Sequence, residues 1–216
     1  MHECTEEIFL KDVAKHKMTV LLDNGVYRHL HFSSGTFNMH FTLTTWPGYL
    51  AITGDMGAYV FTRIDDMFEF FRHKKLGINP SYWAEKCEAS EHRHGHDSDG
   101  IKVYENERFK SVVMEYFNEH EFESEASKAN CLARLQDEVL CAESEYEAHD
   151  LARQFQFKDD NGKFELHDFW ERNLREWTYH YIWCCYAIAW GILKYDEEKS
   201  CEPTSPVTST TDTPTS

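Results

Sequence analysis

The stretch VYRHLHFSSGTFNMHFTLTTWPGYLAITGDMGAYVF, Val26 to Phe61, decides the fold. Phe37, Met39, Phe41 and Leu43 alternate with Asn38, His40, Thr42 and Thr44, the period of two that marks a half-buried strand. Val26, Leu30 and Phe32 alternate in the same way with Tyr27, His29 and His31. A loop at Ser33-Ser34-Gly35-Thr36 then sets Phe32 opposite Phe37, Leu30 opposite Met39 and Val26 opposite Leu43. This register also sets His29 opposite His40, and it leaves one exception on the apolar face, Arg28 against Phe41.

The flanking turns extend the same sheet. Trp46-Pro47-Gly48 is a turn signal that sets Leu43 against Ile52. Gly54-Asp55-Met56-Gly57 folds back so that Leu50 and Ile52 meet Phe61 and Tyr59. Upstream, Asp23-Asn24-Gly25 allows two hairpins. A two-residue Asn-Gly turn puts Val20 and Leu22 on the histidine face; a three-residue loop with Gly25 left-handed pairs Leu22 with Val26 and Met18 with Leu30. The second is preferred, because a one-residue slip turns every side chain to the wrong face. The expected fold is α+β: a five-stranded antiparallel β-meander, Met18 to Arg63, with one apolar face to be covered.

Helical periodicity supplies the cover. Ile64, Met67, Phe68 and Phe71 recur at helical spacing, and Asn79-Pro80 reads as a cap with proline at the first helical position. Phe109, Val112, Val113, Tyr116 and Phe117 form an amphipathic stripe, Leu132, Leu135 and Val139 another, and Glu145 to Phe155 a further helix. Trp170, Leu174, Trp177, Tyr181, Cys184 and Ile188 step by four and three, predicting a long last helix from His167 to Lys194 that is buried along its second half. From 199 to 216 the chain is Ser, Thr and Pro with little to bury, so a disordered tail is expected after a single domain, 1–198.

Charge narrows the partners. The net charge is −16, and thirteen acids stand against four bases between Glu105 and Asp150. Such a surface repels nucleic acid and anionic membranes and attracts basic partners. The seven cysteines are odd in number and contain no C-x-x-C pair; Cys184-Cys185 reads as small buried hydrophobes. Met1-His2-Glu3-Cys4 has no basic or apolar leader character, and Tyr181 to Leu193 is too short to span a bilayer. A reducing cytoplasm is the expected compartment, and no cofactor is implied.

Several groups have the chemistry of a site, and each has a plainer reading. Glu119, Glu121, Glu123 and Glu125, with Glu143, Glu145 and Glu147, form dense carboxylate runs that can dock on a basic groove or imitate a phosphate backbone, or can be a solvated helix surface. His29, His40 and Asp55 on the polar sheet face are candidates for acid–base or ligand chemistry, or part of a plain exposed face. His92, His94 and His96 beside Asp97 and Asp99 are weak metal candidates in one Gly-containing loop.

Two stretches carry a resemblance: TTWPGYLAITGDMGAYVFTRIDDMFEFF, Thr44 to Phe71, with NPSYWAEK after it, and FWERNLREWTYHYIWCCYAIAWGILKYD, Phe169 to Asp196. In these the chain resembles a family of small acidic proteins, without an assigned activity, encoded by tailed bacteriophages and prophages. The resemblance implies a setting, the cytoplasm of an infected or lysogenic bacterium, and supplies no catalytic residue. The leading expectation is a non-enzymatic accessory protein that engages a basic host or phage protein through its acidic helical face, as an inhibitor of host defence or of another host process. The alternatives are an enzyme or small-ligand binder on the histidine face, and an assembly component.

Overall fold

The computed structural model of the protein describes residues 3–91 and 98–201. His92, His94 and His96 lie outside the described residues, as does the chain from 202 onward. The architecture is α+β. A meander of β1 (Lys17–Asn24), β2 (Tyr27–Ser33), β3 (Phe41–Trp46), β4 (Tyr49–Gly54), β5 (Gly57–Thr62) and β6 (Cys87–Ser90) forms one antiparallel sheet in chain order. It has six strands where the pattern predicts five; Cys87–Ser90 is too short to show a period of its own.

The alternation holds along the middle strands. Arg28, Leu30 and Phe32 of β2, Phe41 and Leu43 of β3, Leu50 and Ile52 of β4, and Tyr59 and Phe61 of β5 are buried on one face. Leu43 meets Ile52, Leu50 meets Phe61 and Ile52 meets Tyr59, as the turn signals predict. The β2–β3 register differs. Phe32 pairs with Phe41, Leu30 with Leu43 and His29 with Thr44, so the expected opposition of His29 and His40 does not occur. The connection runs on to His40, because Met39 adopts a left-handed backbone (φ 54°) and its N–H donates to Asp55 at 2.8 Å. Phe37 is left 86% exposed. The slip is an even number of residues, so every side chain of β3 keeps its face.

The first hairpin is neither of the two expected: the preferred three-residue loop, with Leu22 against Val26 and Met18 against Leu30, does not form, and the turn that forms is not Asn-Gly. Its turn has two residues, Gly25 and Val26, between paired Asn24 and Tyr27, and Gly25 is left-handed (φ 62°). Leu22 therefore falls opposite His29, and a bulge between Val20 and Leu22 then restores Val20 to Leu30 and Met18 to Phe32. Arg28, the exception on the apolar face, is buried with a partner: both guanidinium amines donate to Asp66 at 2.8 Å, and the group sits 4.5 Å from the centre of the Phe68 ring.

α1 (Glu6–Asp12), α2 (Met67–Phe71) and α3 (Pro80–Ala84) border the sheet, α3 with Asn79 as cap and Pro80 in its first turn. α4 (Asn106–Glu119), α5 (Glu125–Glu138), α6 (Glu145–Gln154) and the hairpin β8 (Gln156–Asp159)–β9 (Gly162–Glu165) enclose a second cluster built on Phe109, Val113, Phe117, Leu135, Phe164 and Phe169. β7 (Lys102–Tyr104) pairs with β10 (Arg175–Trp177) and joins this helical half to the sheet.

The last helix, α7 (Tyr179–Cys201), covers the apolar face of the sheet. A Cβ on Gly191 would lie 2.8 Å from Leu43 Cδ1, so glycine is what lets the helix backbone approach β3. α7 begins twelve residues later than its periodicity predicts, since Phe169–Glu171 is a separate 3-10 turn and Arg175–Trp177 a strand. Thr178 starts it, its hydroxyl accepting the Tyr181 N–H at 3.1 Å. It also continues to Cys201, so 199–201 are helical where a disordered tail is predicted. Among the described residues no helix is long and apolar enough to cross a membrane.

Candidate functional site

The structure separates the acidic residues into two groups. Glu119 ends α4, Glu121 and Glu123 lie in the connection, and Glu125 opens α5; all four are exposed. The β8–β9 turn is tied to them: Asp159 accepts from Glu123 N (3.1 Å) and Ser127 Oγ (2.8 Å), and the Glu123 carboxylate accepts from Asp160 N (3.2 Å). The Glu123 N–H, with the Ser127 hydroxyl, holds the Asp159 carboxyl below the usual aspartate value.

Glu143, Glu145 and Glu147 surround the start of α6, beyond the other end of α5. A helix of 14 residues separates the two groups, about 20 Å along its axis. Two members of the second group are structurally engaged. Ser144 and Glu147 make a capping arrangement, Ser144 Oγ accepting Glu147 N (3.3 Å) and the Glu147 carboxylate accepting Glu143 N (3.0 Å). Glu145 takes Arg175 through Nε (2.8 Å) and a terminal amine (2.6 Å).

On the polar sheet face, His29 Nδ1 lies 2.8 Å from Thr44 Oγ1 and His31 Nδ1 lies 3.0 Å from Thr42 Oγ1. The histidine rings that meet are His31 and His40, 6.0 Å apart, while His40 Nδ1 is 2.7 Å from the Phe37 carbonyl. Burial, with the neighbouring imidazoles, holds His31 below the ordinary histidine value. Asp55 serves the Met39 turn, away from His29. Among the described residues no three histidine, cysteine or acidic side chains gather as a metal site would need. Cys184 and Cys185 are fully buried, which pushes both thiols up and away from thiolate chemistry.

A cleft of about 420 Å³ lies between α6 and the segment from Glu165 to Trp170. Its walls carry two aromatic rings that face solvent, Tyr146 at 79% and Trp170 at 66% exposure. Asp168 stands in a left-handed conformation (φ 52°), and its carbonyl accepts the Glu171 N–H at 3.0 Å; this turn buries Phe169 and leaves Trp170 outside. Trp170 is thus a surface residue, against its predicted place on a core stripe. Inside the cleft, His149 Nδ1 is buried without a hydrogen-bond partner, its ring 6.0 Å from Phe169. Asp150, paired with Arg153 at 2.7 Å, and Glu165 add carboxylates.

Tyr146 and Asp150 also line a neighbouring cleft of about 280 Å³ with Glu143 and Glu147. The aromatic walls and the second acidic group therefore form one continuous surface. Exposed rings beside carboxylates suit a cationic side chain with an apolar stem. Sequence reading missed this cleft because it placed Trp170 inside a helix. The signal was present in Thr178, a capping residue immediately before the apolar run, with the polar break Glu171-Arg172-Asn173 upstream.

No family model matches the chain, and neither a curated protein nor a solved structure matches it.

Proposed function

We propose that the protein is a non-enzymatic binder of a basic protein, and that the cleft between Tyr146 and Trp170 takes an arginine or lysine side chain of that partner. The observation that carries the reading is the position of Tyr146, shared by the aromatic cleft and by the acidic cleft of Glu143 and Glu147. The net charge of −16 would speed encounter with a basic surface, and the exposed aromatics would supply short-range affinity. The first carboxylate group, Glu119 to Glu125 with Asp159 and Asp160, would contribute steering. The setting drawn from the phage resemblance, a bacterial cytoplasm and a host or phage target, belongs to this reading.

The test is titration with a short oligo-arginine peptide, followed by the same measurement on a protein retained from phage-bearing lysate. Trp170→Ala should weaken binding about tenfold, the scale of a modest hot spot. Replacing Glu121, Glu123 and Glu125 together by Lys should flatten the salt dependence. Binding that survives both changes undiminished would remove the reading.

A further inference from the structure

A third cleft, of about 660 Å³, lies at the seam of the two halves and is lined by residues of both. Its two walls differ in chemistry. The helical half contributes three cations from three elements: Lys102 on β7, Arg108 on α4 and Arg175 on β10. The sheet half contributes Ile78, Pro80, Ile182 and Tyr186. Two carboxylates, Glu3 and Glu176, also line the cleft, so the cations outnumber the acids there by one, in a chain where acids outnumber bases 38 to 22.

The cations are not equally available. Arg175 is engaged by Glu145 at 2.6 Å and Asp99 at 3.1 Å. Arg108 donates from Nε to the Asn173 carbonyl (2.6 Å) and has only a long contact, 3.4 Å, to the exposed carboxylate of Glu176. Lys102 holds its ammonium 4.4 Å from the centre of the Trp177 ring, and no carboxylate among the described residues pairs with it. Tyr181 stacks on Trp177 as well, its ring 5.5 Å away. Lys102 is therefore seated on an aromatic surface, with no carboxylate of the described residues against its ammonium.

The geometry points to a binding site for a small planar organic acid, its carboxylate or phosphate held by Lys102 and Arg108 and its ring laid against Ile78, Ile182 and Tyr186. A cleft of this size at a boundary between two packed units, with a few polar groups facing an apolar wall, has the usual form of a small-ligand site. An anionic head would replace the long Arg108–Glu176 contact with a charge-assisted bond of better geometry.

Calorimetric titration of the full chain tests this with two matched pairs, indole-3-acetate against its amide and adenosine monophosphate against adenosine. The acids should bind saturably and the neutral partners about tenfold more weakly; the better acid tells carboxylate from phosphate. Lys102→Gln should weaken the acid about tenfold, and Lys102→Arg should retain it. Glu176→Gln should tighten it, because Arg108 loses its competitor; general loss of structure has no route to that gain. The assignment is overturned if no acid binds saturably, if acid and neutral partner bind alike, or if Lys102→Gln and Glu176→Gln leave affinity unchanged.

Discussion

The sheet half and the helical half bury their surfaces by different means. Under the sheet, α7 is apolar nearly all round: Trp183, Cys184, Cys185, Ala187, Ile188, Ala189 and Ile192 are buried in succession. Aromatic rings fill the space between them and the strands, with Phe32 stacked on Phe41 at 4.5 Å and Trp183 edge-on to Phe9 at 5.2 Å. The helical half has narrower contacts. α5 buries Cys131 and Leu135, and α6 buries two alanines, Ala148 and Ala152. Its remaining order comes from caps, the Asp159 turn and ion pairs such as Arg175–Glu145. Caps and ion pairs that keep part of their surface in solvent contribute less than buried rings. The half that carries Tyr146, Trp170 and the carboxylate groups is thus the half with less burial to hold it, and elements with fewer buried apolar contacts open at lower free energy.

The largest expected effect lies under the sheet. Trp183 is fully buried and donates Nε1–H to Asp12 at 3.0 Å. Trp183→Ala should cost about 3–5 kcal/mol in denaturant unfolding. A loss below about 1 kcal/mol, the ordinary size of a surface effect, would put α7 outside the core and break the comparison at its strongest point.

Next comes Arg28–Asp66. Burial alone would raise the Asp66 carboxyl, but the Arg28 fork and the Phe68 N–H outweigh it and hold the group below the usual aspartate value. A carboxyl lowered on folding stabilises the fold above its unfolded pKa, about 3.9, and that contribution is lost as pH falls through the lower folded value. Asp66→Asn should therefore cost about 2 kcal/mol at neutral pH. The gap to the parent protein should close as acid protonates the parent's Asp66. A gap that stays constant from pH 7 to pH 3 would show that the carboxylate charge contributes nothing.

What was legible in the sequence follows the same division. Alternation is a property of single residues, so the faces of β2 to β5 could be read directly, and Arg28 stood out as the one mismatch before its partner was visible. Asp66 is 38 positions away, and periodicity says nothing about it. Register was less legible, since a slip by an even number satisfies the same alternation; the Asp55–Met39 hydrogen bond, a tertiary contact, decides it. In the helical half, Trp170 fitted a four-and-three pattern because its spacings to Leu174 and Trp177 are helical by coincidence, across the end of a 3-10 turn and then a strand. The aromatic cleft was lost with it. The strands β7 and β10, three residues each, are too short for any period to register, and they frame the seam.

A smaller effect sharpens the contrast in the helical half. Ala148 and Ala152 lie on the buried side of α6. Ala→Gly at either should cost about 1 kcal/mol, the helix propensity difference, because there is no side-chain volume to lose beyond a methyl. The informative readout is amide hydrogen exchange. Protection should fall in α5 and α6 and stay unchanged in β3 and β4 if the halves open separately. An equal fall in both would make them one cooperative unit and reduce the comparison to a difference in composition.

The smallest expected effect concerns Phe37, which the alternation places opposite Phe32 and the structure places in a connection, 86% exposed. Its ring touches His40, 5.6 Å away, and its carbonyl lies by His40 Nδ1, a contact that any side chain at this position allows. Phe37→Ser should therefore shift stability by less than about 0.5 kcal/mol, where a buried phenylalanine would cost several. The two registers for β2 and β3 differ in this residue more than in any other on the apolar face. In both, Phe41 and Leu43 point inward, so substituting them cannot tell the registers apart. A loss of several kcal/mol at Phe37 would mean that the strand begins there, with the Met39 turn dissolved, Asp55 released, and His29 returned to the side of His40.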